Sequence, residues 1–248
     1  MKGIILAGGY GTRMLPATSA NNKHLLPVYT NNGATPMIDF PINTLKSLGI
    51  KNILIITSQE HCGRIVDYLG DGYSRGLDFT YKIQDMKDPN RPPGIASALK
   101  LCEDFTDDDD FVVALGDNYY EHSPNFKRFF QKCSNDKFTK CGLLLYKTEE
   151  WERFGVAEIK NDKIIKIVEK PKEFVSDLAV TGLYYYTKDV YEVAATLEPS
   201  KRGELEIADI NDHYVKTDEV IHMELDTFWG DMGTPESMMI TQKFLNNE

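Results

Sequence analysis

The stretch from Met1 to Arg13 constrains this chain more than any other part of it. An apolar, strand-like run, Gly3 to Ala7, stops at Gly8-Gly9-Tyr10-Gly11 and leads through Thr12 into Arg13, with Lys23 ten residues further on. Three glycines in four positions let the backbone come close to a ligand and turn its N–H groups into a concavity. Such a nest suits the oxygens of a polyphosphate, and Arg13 and Lys23 add positive charge. The plainer alternative is a tight turn beside a surface arginine. It leaves unexplained the matching parts further along the chain. Two familiar glycine motifs are excluded. No Gly-Lys pair sits at P-loop spacing, and the dinucleotide fingerprint would need glycine where the chain has Met14.

The first half alternates strand and helix signals. Ile53 to Thr57, Phe79 to Ile83 and Phe111 to Leu115 are apolar, β-rich runs. Ile38, Ile42 and Leu45 form a helical stripe closed by Gly49, and Ile95, Ala98, Leu99 and Cys102 form another after Gly94. This order predicts βαβ units, so the fold class is α/β, a Rossmann-like mixed, mainly parallel sheet flanked by helices. Ligands of such sheets sit beyond the carboxyl ends of the strands. Both the glycine turn and Asp117 fall at such ends. The second half is richer in strands: Gly155 to Ile159, Lys163 to Val168, Val180 to Thr187 and Val220 to Phe228. Helices are expected around Ile207, Ile210 and Tyr214, and from Pro235 onward. No repeat or linker interrupts the 248 residues, which read as one domain.

Composition then excludes several classes of partner. Net charge is −10, which argues against a broad face for a nucleic acid polymer. No apolar run approaches the ~18 residues of a membrane span. The chain shows no secretory leader pattern. Its four cysteines, Cys62, Cys102, Cys133 and Cys141, form no C-x-x-C pair, so they read as reduced thiols in a cytoplasmic protein. An acidic protein that takes an anionic substrate must hold it with a few local positive groups, which draws attention to Arg13 and Lys23.

Asp117 ends a buried-type strand, where a carboxylate is costly unless it faces a cleft or is coordinated. By itself it also fits a cap or turn aspartate. Asp231, after Phe228-Trp229-Gly230, reads alone as a turn residue. Glu169-Lys170 would be an ordinary charged turn. Gln84 ends a strand and carries an amide, one donor and one acceptor, complementary to the O4 and N3–H of a uracil-type ring. Asp107 to Asp110 reads as a solvated turn. The five histidines lack ligand spacing, so His24 and His61 read as loop or helix-start residues.

Taken in order, Gly8-Gly9-Tyr10-Gly11-Thr12-Arg13, Lys23-His24-Leu25-Leu26-Pro27, Leu115-Gly116-Asp117-Asn118, Glu169-Lys170-Pro171, Val180-Thr181-Gly182-Leu183-Tyr184, Arg202-Gly203-Glu204 and Asp231-Met232-Gly233-Thr234 resemble the signature of the sugar-phosphate nucleotidylyltransferases. The resemblance covers nearly the whole chain. It implies the nucleotide-diphospho-sugar transferase fold and transfer of a nucleotidyl group from dTTP to glucose 1-phosphate. UTP or another hexose 1-phosphate is the near alternative. A non-catalytic sugar-nucleotide sensor is the distant one, and it would have no use for the four charged residues Arg13, Lys23, Asp117 and Asp231.

The resemblance also implies roles, residue by residue. Leu6, Ala7, Gly8, Gly9, Gly11, Thr12, Arg13, Gln84 and Gly94 take the nucleotide. Asp117 and Asp231 hold Mg²⁺. Gly155, Glu169, Lys170, Val180 and Arg202 take the sugar phosphate. Arg13, Lys23, Asp117 and Asp231 carry the catalysis. The N-terminal half is expected to bind the nucleotide and the C-terminal half the sugar. The chain ends soon after its last helix, where longer relatives continue with helices that build subunit contacts. That points to a monomer or a small homo-oligomer. The sequence departs from the pattern at Tyr10 inside the glycine loop, at the insertion Asn31 to Ala34 and at Phe154, where many relatives carry tyrosine.

Overall fold

The computed structural model describes residues 1–85, 93–201 and 203–247. In chain order the elements are β1 (Lys2–Ala7), β2 (Pro27–Thr30), β3 (Gly33–Pro36), α1 (Asp39–Ser47), β4 (Asn52–Ser58), α2 (Cys62–Leu69) and β5 (Asp78–Gln84). Then follow α3 (Ile95–Leu99), α4 (Glu103–Thr106), β6 (Phe111–Leu115), β7 (Asn118–Tyr120), α5 (Pro124–Asn135), β8 (Cys141–Lys147), β9 (Gly155–Lys160) and β10 (Lys163–Glu169). The last are β11 (Leu178–Tyr186), α6 (Val190–Thr196), α7 (Ile207–Lys216), β12 (Val220–Glu224), β13 (Trp229–Asp231) and α8 (Pro235–Leu245). The α/β class holds, with a mixed sheet flanked by helices.

Backbone contacts divide the chain into two compact units, each assembled from separate stretches of sequence. One draws on Lys2–Met86, Ala114–His122 and Thr227–Glu248; the other on Lys87–Val113 and Ser123–Asp226. The first unit, called the loop unit below, is built on parallel strands. β4 pairs with β1 from Gly3 against Ile53 to Ala7 against Thr57, and with β5 from Asn52 against Asp78 to Ser58 against Gln84. Parallel strands buried on both faces read as unbroken apolar runs, and Ile53 to Ile56 are fully buried. β2 and β3 form a hairpin around Asn31-Asn32, so the inserted residues close a tight turn. A small core is formed by Met14, Leu26, Val28, Met37 and Met232, with Phe40, Tyr119, Met238 and Leu245 packed against it. At roughly 1.5–3 kcal/mol for each large side chain removed from water, that cluster fixes what is attached to it. Met14 adjoins Arg13, and Met232 adjoins Asp231.

The second unit is largely antiparallel. β11 pairs with β8, and β9 with β10, while β12 runs parallel to β8. Tyr184, Tyr185 and Tyr186 are all buried along β11. Two of the hydroxyls are satisfied inside the fold: Tyr185 donates to Asp110 at 2.6 Å and Tyr186 to Asn211 at 2.5 Å. Asp110 is therefore more than a solvated turn residue, since Ser134 donates to it as well.

Two element boundaries differ from the sequence reading. The expected strand Val220 to Phe228 stops at Glu224, where the chain leaves β8; residues 225–228 are a connection, and the next strand, β13, starts at Trp229 and pairs with β7. Its apolar run hides this change of partner. The stripe ending at Cys102 is helical only to Leu99; a turn follows at Lys100-Leu101, and Cys102 caps α4, which starts at Glu103. Pro235 does open α8. Thr234 caps it, accepting from Ser237 N while Ser237 Oγ accepts from Thr234 N.

Candidate active site

In the loop unit the glycine turn lies at the carboxyl end of β1. Gly9 and Gly11 have φ of +96° and +63°, a region other residues enter at a cost. Gly11 is also crowded. A Cβ there would lie 3.0 Å from Thr18 Cγ2 and 3.3 Å from Lys23 Cβ. Thr18 fastens the turn by donating its hydroxyl to Gly11 O at 2.8 Å. Thr12, Arg13 and Met14 then make one turn of 3₁₀ helix.

Two strand ends bring the carboxylates together. β7 pairs with β13 so that Asn118 faces Asp231. Met232 N donates to Asp117 O at 2.8 Å, which locks the two strand ends side by side. Asn118 is the joint. Its Nδ2 donates to Asp117 Oδ1 at 3.1 Å and to Asp231 Oδ1 at 3.5 Å. Its Oδ1 accepts from Trp229 Nε1 at 2.7 Å and from Tyr120 OH at 3.4 Å, which settles which end of the amide faces the acids. Arg13 belongs to the same group. A Cβ on Gly233 would be 3.1 Å from Arg13 Nη2 and 3.1 Å from Asp231 Oδ2.

Lys23 Nζ meets Asp117 Oδ2 at 2.5 Å, with side chains 13% and 10% exposed. Burial alone would raise the Asp117 carboxyl, but the Lys23 ammonium overrides it and holds the group well below the usual carboxylate range. Next to it, His24 is buried. Its Nδ1 donates to Asn22 Oδ1 at 2.9 Å, and its backbone N–H donates to the same oxygen at 2.7 Å. Desolvation first, then the Lys23 charge, pushes the His24 pKa down to about 3, so the ring is neutral. The ring also fills the space beside Gly116, where a Cβ would lie 2.6 Å from His24 Cδ2. His24 is thus a post between the Lys23 turn and the Asp117 strand end, a role that the absence of ligand spacing did not suggest.

Two carboxylates and an ammonium are what a hard divalent cation and a polyphosphate would replace and meet. Mg²⁺ takes one or two carboxylates and fills its remaining positions with water and phosphate oxygens. Among the described residues no three or more Asp, Glu, His or Cys are grouped so as to hold a metal ion.

The strand edge beside the loop holds Gln84. A Cβ on Gly8 would lie 3.3 Å from Gln84 Oε1, so that position must stay bare for the amide to reach the loop.

In the second unit, Glu169 pairs with Gly155 across β10 and β9. A Gly155 Cβ would lie 3.1 Å from Glu169 Oε2. Lys170 Nζ sits 3.3 Å from Glu169 Oε1, and Lys170 holds φ of +41°, an unusual value for lysine, while its N–H donates to Phe154 O at 3.0 Å. Strain of this kind clusters at functional sites. Val180 lies on β11 where the register with β8 shifts before Tyr184. Gly94, at φ +123°, opens α3 in this unit, against Leu205, whose backbone leaves no room for a Cβ. Arg202 lies outside the described residues. Of the expected residues, then, Gly8 to Arg13, Lys23, Gln84, Asp117 and Asp231 share the loop unit. Gly94, Gly155, Glu169, Lys170 and Val180 share the other. Asn118, Asn22 and His24 were missed as functional positions, although Asn118 stands inside the quoted Leu-Gly-Asp-Asn pattern.

Comparison with known proteins shows the family and the fold. Residues 2–248 match the model of the family described as nucleotidyl transferase. The chain is 38% identical over 248 residues to the glucose-1-phosphate thymidylyltransferase of Neisseria meningitidis serogroup A, covering 99% of this chain and 82% of that protein. A Bacillus anthracis protein described as a candidate glucose-1-phosphate thymidylyltransferase, solved with sucrose, superposes with a TM-score of 0.90 at 45% identity, covering 100% of this chain and 96% of that one. A UDP-glucose pyrophosphorylase bound to UDP-glucose shares the fold, with a TM-score of 0.83 at 23% identity over 98% of this chain and 97% of that one. The chain belongs to the nucleotidyl transferase family of enzymes.

Proposed function

We propose that this protein transfers a nucleotidyl group from dTTP to glucose 1-phosphate, forming dTDP-glucose and pyrophosphate, with Mg²⁺ held by Asp117 and Asp231. One observation carries the reading: Arg13, Lys23, Asp117 and Asp231 converge at strand ends beside a bare glycine loop. The loop N–H groups, with Leu6, Ala7, Gly8, Gly9, Gly11 and Thr12, cradle the triphosphate. Gln84 reads the base, and Gly94 closes over it. Gly155, Glu169 and Val180 take sugar hydroxyls, while Lys170 and Arg202 take the sugar phosphate. The whole chain works as one catalytic domain in the cytoplasm, as a monomer or small homo-oligomer.

The chemistry is electrostatic. An oxygen of the sugar phosphate attacks the α-phosphorus, and the bond to the α–β bridging oxygen breaks as pyrophosphate leaves. The nucleophile is already an anion, so no general base is required. What the protein supplies is in-line positioning and charge neutralisation. Bound Mg²⁺ would neutralise charge on the phosphate oxygens. Arg13 stabilises charge as pyrophosphate departs. Lys23, ion-paired with Asp117, is placed to meet phosphate oxygens of the triphosphate.

Gln84 meets an edge that thymine and uracil share, so UTP is the second nucleotide this site accommodates. A panel of nucleoside triphosphates crossed with sugar 1-phosphates, read as pyrophosphate release, tests both. Release is expected only with a pyrimidine triphosphate, a hexose 1-phosphate and Mg²⁺ together. Undiminished turnover in excess chelator would overturn the metal assignment.

A further inference from the structure

Ser58 ends β4 and is 3% exposed, yet among the described residues its hydroxyl has no hydrogen-bond partner. A buried hydroxyl without a partner is uncommon, because the desolvation is uncompensated. Its backbone is committed, since Ser58 O accepts from His61 N at 3.2 Å and starts the turn into α2. The side chain is the part left over.

Its position in the sheet says what it is for. Ser58 pairs with Gln84 across β4 and β5, and paired residues put their side chains on one face. β4 stands between β5 and β1. Two inter-strand steps span roughly 9–10 Å. Gln84 nevertheless brings its amide within 3.3 Å of where a Gly8 side chain would begin. The glutamine must therefore lie stretched across the end of β4, over Ser58.

We propose that Ser58 is a positioning residue for the Gln84 carboxamide, and so for pyrimidine recognition. The inference rests on the reading of Gln84 as the base-binding residue. An amide offers two donor hydrogens and two acceptor lone pairs. A uracil-type ring uses one of each. When the amide turns to meet the base, the Ser58 hydroxyl takes a hydrogen bond from the edge the base leaves unused. A long, rotatable side chain is then held in the orientation that binds.

The test is direct binding of dTTP and UTP by calorimetry together with steady-state kinetics. Ser58→Ala should weaken nucleotide binding and raise the nucleotide KM about tenfold, the size of one lost buried hydrogen bond. It should leave kcat and the KM for sugar 1-phosphate within about twofold. Ser58→Thr, which keeps the hydroxyl, should restore most of the affinity. In a Gln84→Ala background, Ser58→Ala should cost nothing more. Thr57 is the control. Its buried hydroxyl also has no partner among the described residues, but Thr57 pairs with Ala7 and Ile83 on the opposite face. Thr57→Val should leave nucleotide affinity unchanged.

Unchanged affinity in Ser58→Ala would overturn the proposal. So would a loss that persists in the Gln84→Ala background or that Thr57→Val reproduces. A wild-type protein that binds no pyrimidine triphosphate would instead sink the reading of Gln84, and this inference with it.

Discussion

Two ion pairs, Lys23–Asp117 in the loop unit and Lys170–Glu169 in the second, are held in opposite ways. In the loop unit, the Lys23 and Asp117 side chains are nearly buried and meet at 2.5 Å. Asn118 is oriented by Trp229 and Tyr120, and Gly116 is backed by His24. In the second unit, Lys170 and Glu169 are 40% and 23% exposed and meet at 3.3 Å. An exposed ion pair is worth little and reorganises freely. The difference fits a division of labour. Charge placed where bonds break must be fixed in advance, whereas charge that only binds can settle around its ligand.

That contrast sets the largest expected effect. Asp117→Asn should cut turnover by roughly 10²-fold or more, as losing a metal clamp or transition-state contact does. Glu169→Gln should act mainly on the KM for sugar 1-phosphate, by about tenfold, with a smaller change in kcat. Steady-state kinetics on both variants would decide it. Equal losses of kcat would break the division.

Stability should divide the same way. Gly116→Ala would place a methyl 2.6 Å from the His24 ring and 2.9 Å from Leu6 O. Neither neighbour can yield, since the ring is fixed by Asn22 and the carbonyl accepts from Gly116 N. Overpacking of this kind costs ~1–3 kcal/mol. Urea denaturation should show a lower midpoint and reduced activity together. A variant as stable as the parent would mean the post is softer than its contacts suggest.

The parts legible in sequence are those where one local signal states one physical need. Gly3 to Ala7 reads as a buried strand because parallel strands are apolar throughout. The glycine loop reads as a nest because φ above zero is needed at Gly9 and Gly11. Asp117 and Asp231 were placed by resemblance, and the β7–β13 register supplies the physical reason they meet. Asn118, Asn22 and Ser58 stayed hidden because polar residues at strand ends and in turns are common. Their roles depend on partners far away in sequence, such as Trp229. The change of sheet after Glu224 was invisible for the same reason, since hydrophobicity reports burial but not which strand does the burying.

The buried histidine gives the loop unit a pH signature of its own. His24 has a folded pKa near 3, below its ordinary 6.5, so the unfolded chain takes up the proton first. Its contribution to stability is complete above pH 6.5 and is lost as pH falls from there toward 3, at up to ~1.4 kcal/mol per unit. His24→Gln should flatten that slope between pH 6.5 and 5 in urea denaturation. An unchanged slope would place the acid sensitivity elsewhere.

The smallest effect is expected at Gly155, and it tests the looser unit directly. A methyl there would sit 3.1 Å from Glu169 Oε2 and 3.8 Å from Ala208 Cβ. Unlike the ring beside Gly116, the obstacle is the far end of a flexible, partly exposed side chain. Glu169 can rotate by a few tenths of an ångström at little cost, so Gly155→Ala should lower stability by less than ~1 kcal/mol. The rotation would pull the carboxylate from the position proposed for the sugar hydroxyls. The KM for sugar 1-phosphate should therefore rise a few-fold, while nucleotide affinity and unfolding midpoint stay near the parent values. If Gly155→Ala unfolds as readily as Gly116→Ala, Glu169 is held as firmly as Asp117. The two units would then not differ in rigidity, and the division of labour argued from exposure would fail.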